Sequence, residues 1–275
     1  MFKTTAKIRK TSMSRIRKAA LVVGGAVALT AGFAGSAAAQ NLNPLPFQAS
    51  AFQDKYQPFF DYDEDGCYPA AAVDPNGKVN GGLTTTGSNG GGCKSNHLGH
   101  ANTYVRSVCD ADWCAYMYAL YFEKDEGTFA GHRHDWENVV VWQKRGADTP
   151  SFVSASAHGG YSVKAFNTIE RTGNRAHIVY HLDGAATHAF RFAKTGEKPE
   201  AWGDGGWDRP ALVAMDRLKD SNNSAFNNLW NSDWIEPGLK DGANFPLQNR
   251  DNHFASSIQK AKPSAIGSFN PNTSF

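Results

Sequence analysis

Five segments between Asn102 and His181 limit what this chain can fold into: NTYVRSV (102–108), AYMYALYF (115–122), ENVVVW (137–142), SFVSASA (151–157) and AHIVYH (176–181). Each is rich in aromatic and β-branched residues, and the stretches between them are mostly short and polar, so each reads as a strand. Strands in succession without intervening helical patterns predict an antiparallel sandwich, not alternating β-α units. Helices are fewer. RPALVAMDRLKDS (209–221) has apolar residues at three-residue steps and a proline in its first turn, which predicts a helix, and NHFASSIQKA (252–261) predicts another. No repeat, charge block or low-complexity linker divides the chain, so one domain over 40–275 is expected.

Residues 1–39 are set apart. A basic stretch without acids, a short Gly/Ala-rich apolar run and small residues at Ala37 and Ala39 have the order of a secretory signal peptide. The leader carries seven basic residues, so its removal takes the formal net charge from +2 to −5. The remaining chain shows no basic stripe of the kind nucleic-acid binders carry, and no nucleic-acid partner is expected.

All four cysteines lie early in the exported part. An even set in an exported chain implies two disulfides with three possible connectivities, of which nearest-neighbour pairing, Cys67–Cys93 and Cys109–Cys114, is the simplest. A Cys67–Cys93 bridge would staple the turn-rich DYDEDG, DPNGKVNGG and TTTGSNGGG stretches, which bury little by themselves. No CxxC pair supports a zinc site among the cysteines.

The densest chemistry is GHRHDWENVVVW (131–142). If a strand begins near His134, alternation puts Asp135 and Glu137 on one face and His134 and Trp136 on the other. Neighbouring carboxylates repel unless a cation or a basic group stands between them. Arg133 has the parity to be that group. Asp125 and Glu126, in the loop before, add oxygen donors, and His132 lies on the loop edge. Carboxylates and water suit Ca²⁺ or Mg²⁺. Zinc would draw on His132 and His134, which parity places together on the face away from Asp135. A metal-dependent extracellular hydrolase is therefore the second reading of these residues.

GHRHDWE is the heptapeptide of the necrosis- and ethylene-inducing-peptide-like proteins, secreted cytolysins of plant-associated microbes. GCYPAAAVDPNGKVNGGL, CDADWCAYMYALYFEKD, VYHLDGAATHAFRFA and DGANFPLQNRDNHF also resemble family segments, so the likeness runs from about Phe47 to Ala261. The second cysteine pair and the acidic loop before GCYP resemble the type 2 branch. The resemblance implies a mainly β, single-domain sandwich with flanking helices, similar to actinoporins and fungal lectins, and a toxin, not an enzyme. It implies a monomer with a divalent cation, Ca²⁺ or Mg²⁺, at the floor of a surface cavity. Asp125 and Asp135 would be direct ligands, and His132 and Glu137 would act mainly through water. His188 and His158 match cavity histidines. The implied target is a glycosylated inositol phosphorylceramide of the plant plasma membrane, read through its terminal sugar. Plant immune receptors are a further implied partner, through a segment around Ala115 to Glu137 expected to be exposed. In one respect the chain departs: HLDGAATH lacks the Trp-Pro stretch that toxic members carry before the residue matching His188, which leaves room for a non-cytotoxic, glycan-binding member.

Asp61, Asp63 and Asp65 with Gly66 copy the first half of an EF-hand, but Ala72 stands where the bidentate Glu belongs. The type 2 resemblance implies a different structural calcium loop from Asp61, Asp63, Asp65 and Asp74. The aromatic residues from Tyr104 to Phe122 read as core. His177 and His181 read as ordinary strand residues, and Asp204 and Asp208 as a turn leading to a helix cap.

Overall fold

A computed structural model describes residues 41–85, 87–95, 97–200, 206–235 and 244–272. The leader and Asp204 lie outside the described residues. Helix α1 (Ala51–Tyr56) opens on a capping box in which Ser50 and Gln53 each accept from the other's backbone N–H. Strands β1 (Phe59–Asp61), β2 (Asn102–Cys109), β3 (Trp113–Glu126), β4 (Gly131–Lys144), β5 (Phe152–Ala157), β6 (Gly160–Ala165), β7 (Arg171–Thr172), β8 (Arg175–Leu182), β9 (His188–Phe192) and β10 (Ala211–Ala214) follow. Helices α2 (Met215–Ser221), α3 (Asn223–Asn231) and α4 (His253–Ala261) complete the chain.

The strands form a six-stranded sheet in the order β10-β2-β3-β4-β5-β6 and a four-stranded sheet in the order β1-β8-β7, with β9 also on β8. Both disulfides form as nearest neighbours, Cys67–Cys93 and Cys109–Cys114. The predicted aromatic strand is core on both faces. Tyr118, Leu120 and Phe122 face the second sheet with Ile178, Tyr180 and Phe190. Met117, Ala119 and Tyr121 face the helices with Leu218, Phe226 and Ile258. A sheet covered on both sides needs apolar residues at every position, which is why AYMYALYF shows no polar alternation. It also corrects one expectation in part: every residue from Ala115 to Phe122 is buried, and within the segment that runs to Glu137 only residues 128–130 of the hairpin tip are exposed, with Phe129 at 86%.

The helix predicted over 209–221 begins only at Met215. Ala211–Ala214 instead pairs in parallel with β2, because Leu212 and Val213 supply apolar residues to opposite faces of that edge. Asp208 is not a helix cap: its carboxylate accepts from the Tyr62 hydroxyl at 2.7 Å. No helix among the described residues is long and apolar enough to cross a membrane.

Candidate cation site

Strands β3 and β4 pair without interruption from Trp113↔Lys144 to Phe122↔Asp135, then resume at Lys124↔Arg133 and Asp125↔His132. The missing pair is Glu123 with His134. His134 has a φ of 60°, a left-handed conformation that costs a non-glycine residue energy and turns the strand out of its pleat. The alternation slips there. Arg133 and His134, consecutive residues, both pack against Gly82, where an added Cβ would lie 2.7 Å from atoms of each. On β3, Phe122 stacks on Tyr180 of β8 at 3.8 Å, and Asp125, of opposite parity, also reaches the second sheet through His188.

This slip builds the site. Asp125, His132 and Asp135 bring one potential ligand atom each to within 4.8 Å of one another. Strand parity had placed His132 with His134 and away from Asp135. The structure reverses this: His132 joins Asp135, and His134 lies on the opposite face, 2.6 Å from the Tyr121 hydroxyl. The two histidines therefore cannot share a zinc ion. The Nδ1 of His132 donates to the His134 carbonyl at 3.0 Å, which leaves Nε2 for a ligand. Nor does Arg133 take the neutralising place beside Asp135 that its parity gave it.

The electrostatics favour a cation. Asp125 and Asp135 are 2% and 6% exposed. Burial first, and the charge of Asp125 second, push the Asp135 carboxyl up to about 6. Glu137 is raised well above the usual carboxylate range by burial and then by Asp135, with the Ser156 hydroxyl as its hydrogen-bond partner. Oxygen-rich and buried, with Asp135 and Glu137 facing no cationic side chain in hydrogen-bond contact among the described residues, these residues fit a hard divalent ion better than zinc.

The other predicted residues surround the cluster. His188 stands behind Asp125: its Nδ1 is 2.6 Å and its backbone N–H 2.9 Å from that carboxylate, while Nε2 lies 3.3 Å from Asp65. Burial opposes its charge, but the hydrogen bond to Asp125 and the ion pair with Asp65 win and raise its pKa to about 9. Both ring nitrogens thus serve carboxylates, so His188 orients a ligand and does not itself face the cluster. His158 sits on the β5–β6 turn and pairs with Asp183 at 3.0 Å, tying down the loop before His188. Tyr180 was missed in the sequence. Its hydroxyl donates to Asp135 at 3.1 Å and its ring stacks between Phe122 and His188. The signal was a lone tyrosine between His177 and His181.

The four residues of the expected calcium loop do not converge. Asp61 accepts from the Glu200 backbone at 2.9 Å, Asp63 pairs with Arg191 at 3.1 Å, and Asp65 accepts from Leu182 N at 3.1 Å. Asp74 belongs to a separate turn, where it accepts from Asn76 and Lys78. Each carboxylate is engaged by its own partner, so the acidic loop latches onto β8 and β9 instead of enclosing one ion.

Comparison with known proteins agrees with this architecture. Residues 50–261 match the family described as necrosis inducing protein (NPP1). NLP effector protein 10 of Phytophthora capsici is 37% identical over 183 residues, covering 65% of this chain and 73% of that protein. Necrosis-inducing protein NPP1 of Phytophthora nicotianae is 38% identical over 186 residues, with the same coverage of 65% and 73%. Among solved structures, the non-toxic HaNLP3 protein superposes with a TM-score of 0.67 at 29% identity, covering 82% of this chain and 100% of that one. NLPPya in complex with mannosamine gives 0.65 at 27% identity, covering 81% and 97%. The relatives are described as effectors, necrosis-inducing proteins and a toxin fold, with one non-toxic member, and the family is not an enzyme family. With its toxin-fold sandwich and a family match over most of its length, the chain belongs to the necrosis-inducing protein (NPP1) family.

Proposed function

We propose that this chain is a secreted cytolysin whose divalent cation, Ca²⁺ or Mg²⁺, holds the sugar headgroup of a plant plasma-membrane sphingolipid, a glycosylated inositol phosphorylceramide. The observation that carries the reading is the convergence of Asp125, His132 and Asp135 on a point that burial and mutual repulsion leave in need of positive charge. Glu137 joins through water, and His188 and Tyr180 hold the two carboxylates in place. Residues 1–39 are read as a leader removed on export, and 40–275 as the toxin domain. A polar cavity on the α4 side of the sheet shares Glu137 with the cluster but none of Asp125, His132 and Asp135; it is lined also by Asn138, Ser156, Tyr161 and Lys260, a mixture of amide, hydroxyl, aromatic and ammonium groups that suits a polyol. The complexes of NLPPya with mannosamine and with glucosamine support the sugar. No covalent chemistry is asked of any residue.

The decisive experiment is leakage from plant plasma-membrane vesicles. Asp135→Ala and His132→Ala should each abolish leakage while circular dichroism stays that of the wild type, and unchanged leakage would sink the reading. A second reading is a non-cytotoxic glycan binder: the loop Gly184–Thr187 carries no aromatic residue, and a non-toxic protein superposes well. Binding of the sugar headgroup by the wild type without leakage would select it. Detection of the folded protein by immune receptors through Ala115–Glu137 would then rest on residues 128–130 of the exposed hairpin tip, and recognition of the buried strands on either side would require unfolding or proteolysis.

A further inference from the structure

The segment stapled by Cys67–Cys93 runs on to His97 and lies against the face of β3 and β4 that carries Glu123, Lys124, Arg133 and His134. Gly82 touches Arg133 and His134, Leu83 N donates to the Glu123 carbonyl at 2.8 Å, and Lys124 Nζ donates to the Ser88 carbonyl at 2.9 Å. His97, 2% exposed, places Nε2 2.9 Å from the Glu123 carboxylate and Nδ1 2.9 Å from the Ser95 carbonyl. A carbonyl only accepts, and so does a carboxylate, so a ring donating at both nitrogens is an imidazolium. Glu123 and Lys124 are 0% and 1% exposed, and a buried charge that gave up its partners would be strongly destabilising. Consecutive residues of β3 are thus both held on the loop side. Regular alternation would have returned Asp125 to that side as well.

We infer that His97 is a positioning residue for the cation: by fixing Glu123 on the stapled loop, with Lys124 fixed beside it, it forces the slip in β3 that delivers Asp125 to Asp135 and His132. His97 touches neither the ion nor its ligands. It acts through the strand, and the disulfide holds the loop from which it acts. The inference rests on reading Asp125, His132 and Asp135 as a cation site.

Isothermal titration of the mature, disulfide-bonded protein with calcium chloride and magnesium chloride tests it, together with the melting temperature of the cation-free form. His97→Gln, which cannot donate on both sides, and Lys124→Met, which keeps the stem without the ammonium, should each weaken cation binding by about tenfold or more, as loss of outer support for a ligand does. The pair His97→Gln/Glu123→Gln, which can share an amide hydrogen bond, should recover part of the affinity. A merely structural role would lower the melting temperature of the cation-free form and leave the dissociation constant unchanged. Affinity within twofold of wild type in both single variants overturns the inference alone. Failure of the wild type to bind either cation overturns the reading of the cluster, and the inference with it.

Discussion

Asp135 and His188 titrate with opposite consequences. Burial and Asp125 raise the folded pKa of Asp135 to about 6, above the roughly 3.9 of an unfolded aspartate. Such a group destabilises the cation-free fold as pH climbs between those values, and the penalty is complete above the upper one. A bound cation removes it. Calcium should therefore raise the melting temperature more at pH 7 than at pH 5, and equal increments would show that Asp135 takes no part. His188 runs the other way: raised to about 9 by its two carboxylates, it contributes stability below the ordinary histidine value and loses it as pH rises through about 9. Gly66 is equally specific. A Cβ there would lie 2.6 Å from His188 Nε2, so Gly66→Ala should cost about 1–3 kcal/mol in denaturant unfolding and weaken cation binding as His188 is pushed from Asp125.

At the level of elements, the two disulfides should differ in what they support. Cys67 and Cys93 are 26 residues apart, and replacing both with serine should cost about 3 kcal/mol by chain entropy and also loosen the loop that carries His97. Cys109 and Cys114, 5 residues apart, close the β2–β3 turn at the far end of β3 from Asp125, and their loss should leave cation affinity unchanged by the same titration. Period-two reasoning found the strands and failed at their ends for one reason. It assumes an unbroken pleat, so it paired His132 with His134 and offered Arg133 to Asp135, where the left-handed turn at His134 does the opposite. Asp125 and Asp135 were legible because they lie ten residues apart on one hairpin, and the cysteine pairs because four cysteines admit only three pairings. Tyr180, His97 and Glu123 were not, because each matters through a partner 26 to 45 residues away. Helix α3 was missed as well: NSAFNNLWN is rich in asparagine, a poor helix former, and its apolar Ala225, Phe226 and Leu229 pay off only against the sheet.

For the whole molecule, the layered core explains why the site is at one end. The six-stranded sheet is packed on both faces through its middle, so a polar cluster fits only where β3 and β4 run past the packed layers. A ligand that binds only the folded form stabilises it by mass action, and adding a chelator to the calcium-loaded protein should lower its melting temperature in proportion to the logarithm of the free calcium removed. The loop from Leu182 to His188 has a larger consequence. It is tied at three places by three separate segments: Leu182 N to Asp65, Asp183 to His158, and Ala186 against Gly127, where no side chain would fit. A loop fastened this way is a fixed wall beside His188, not a flap. If a headgroup binds beside His188 as proposed, it meets a wall that does not yield, so bulk would be sorted by exclusion and selectivity would show in association rates more than in residence times.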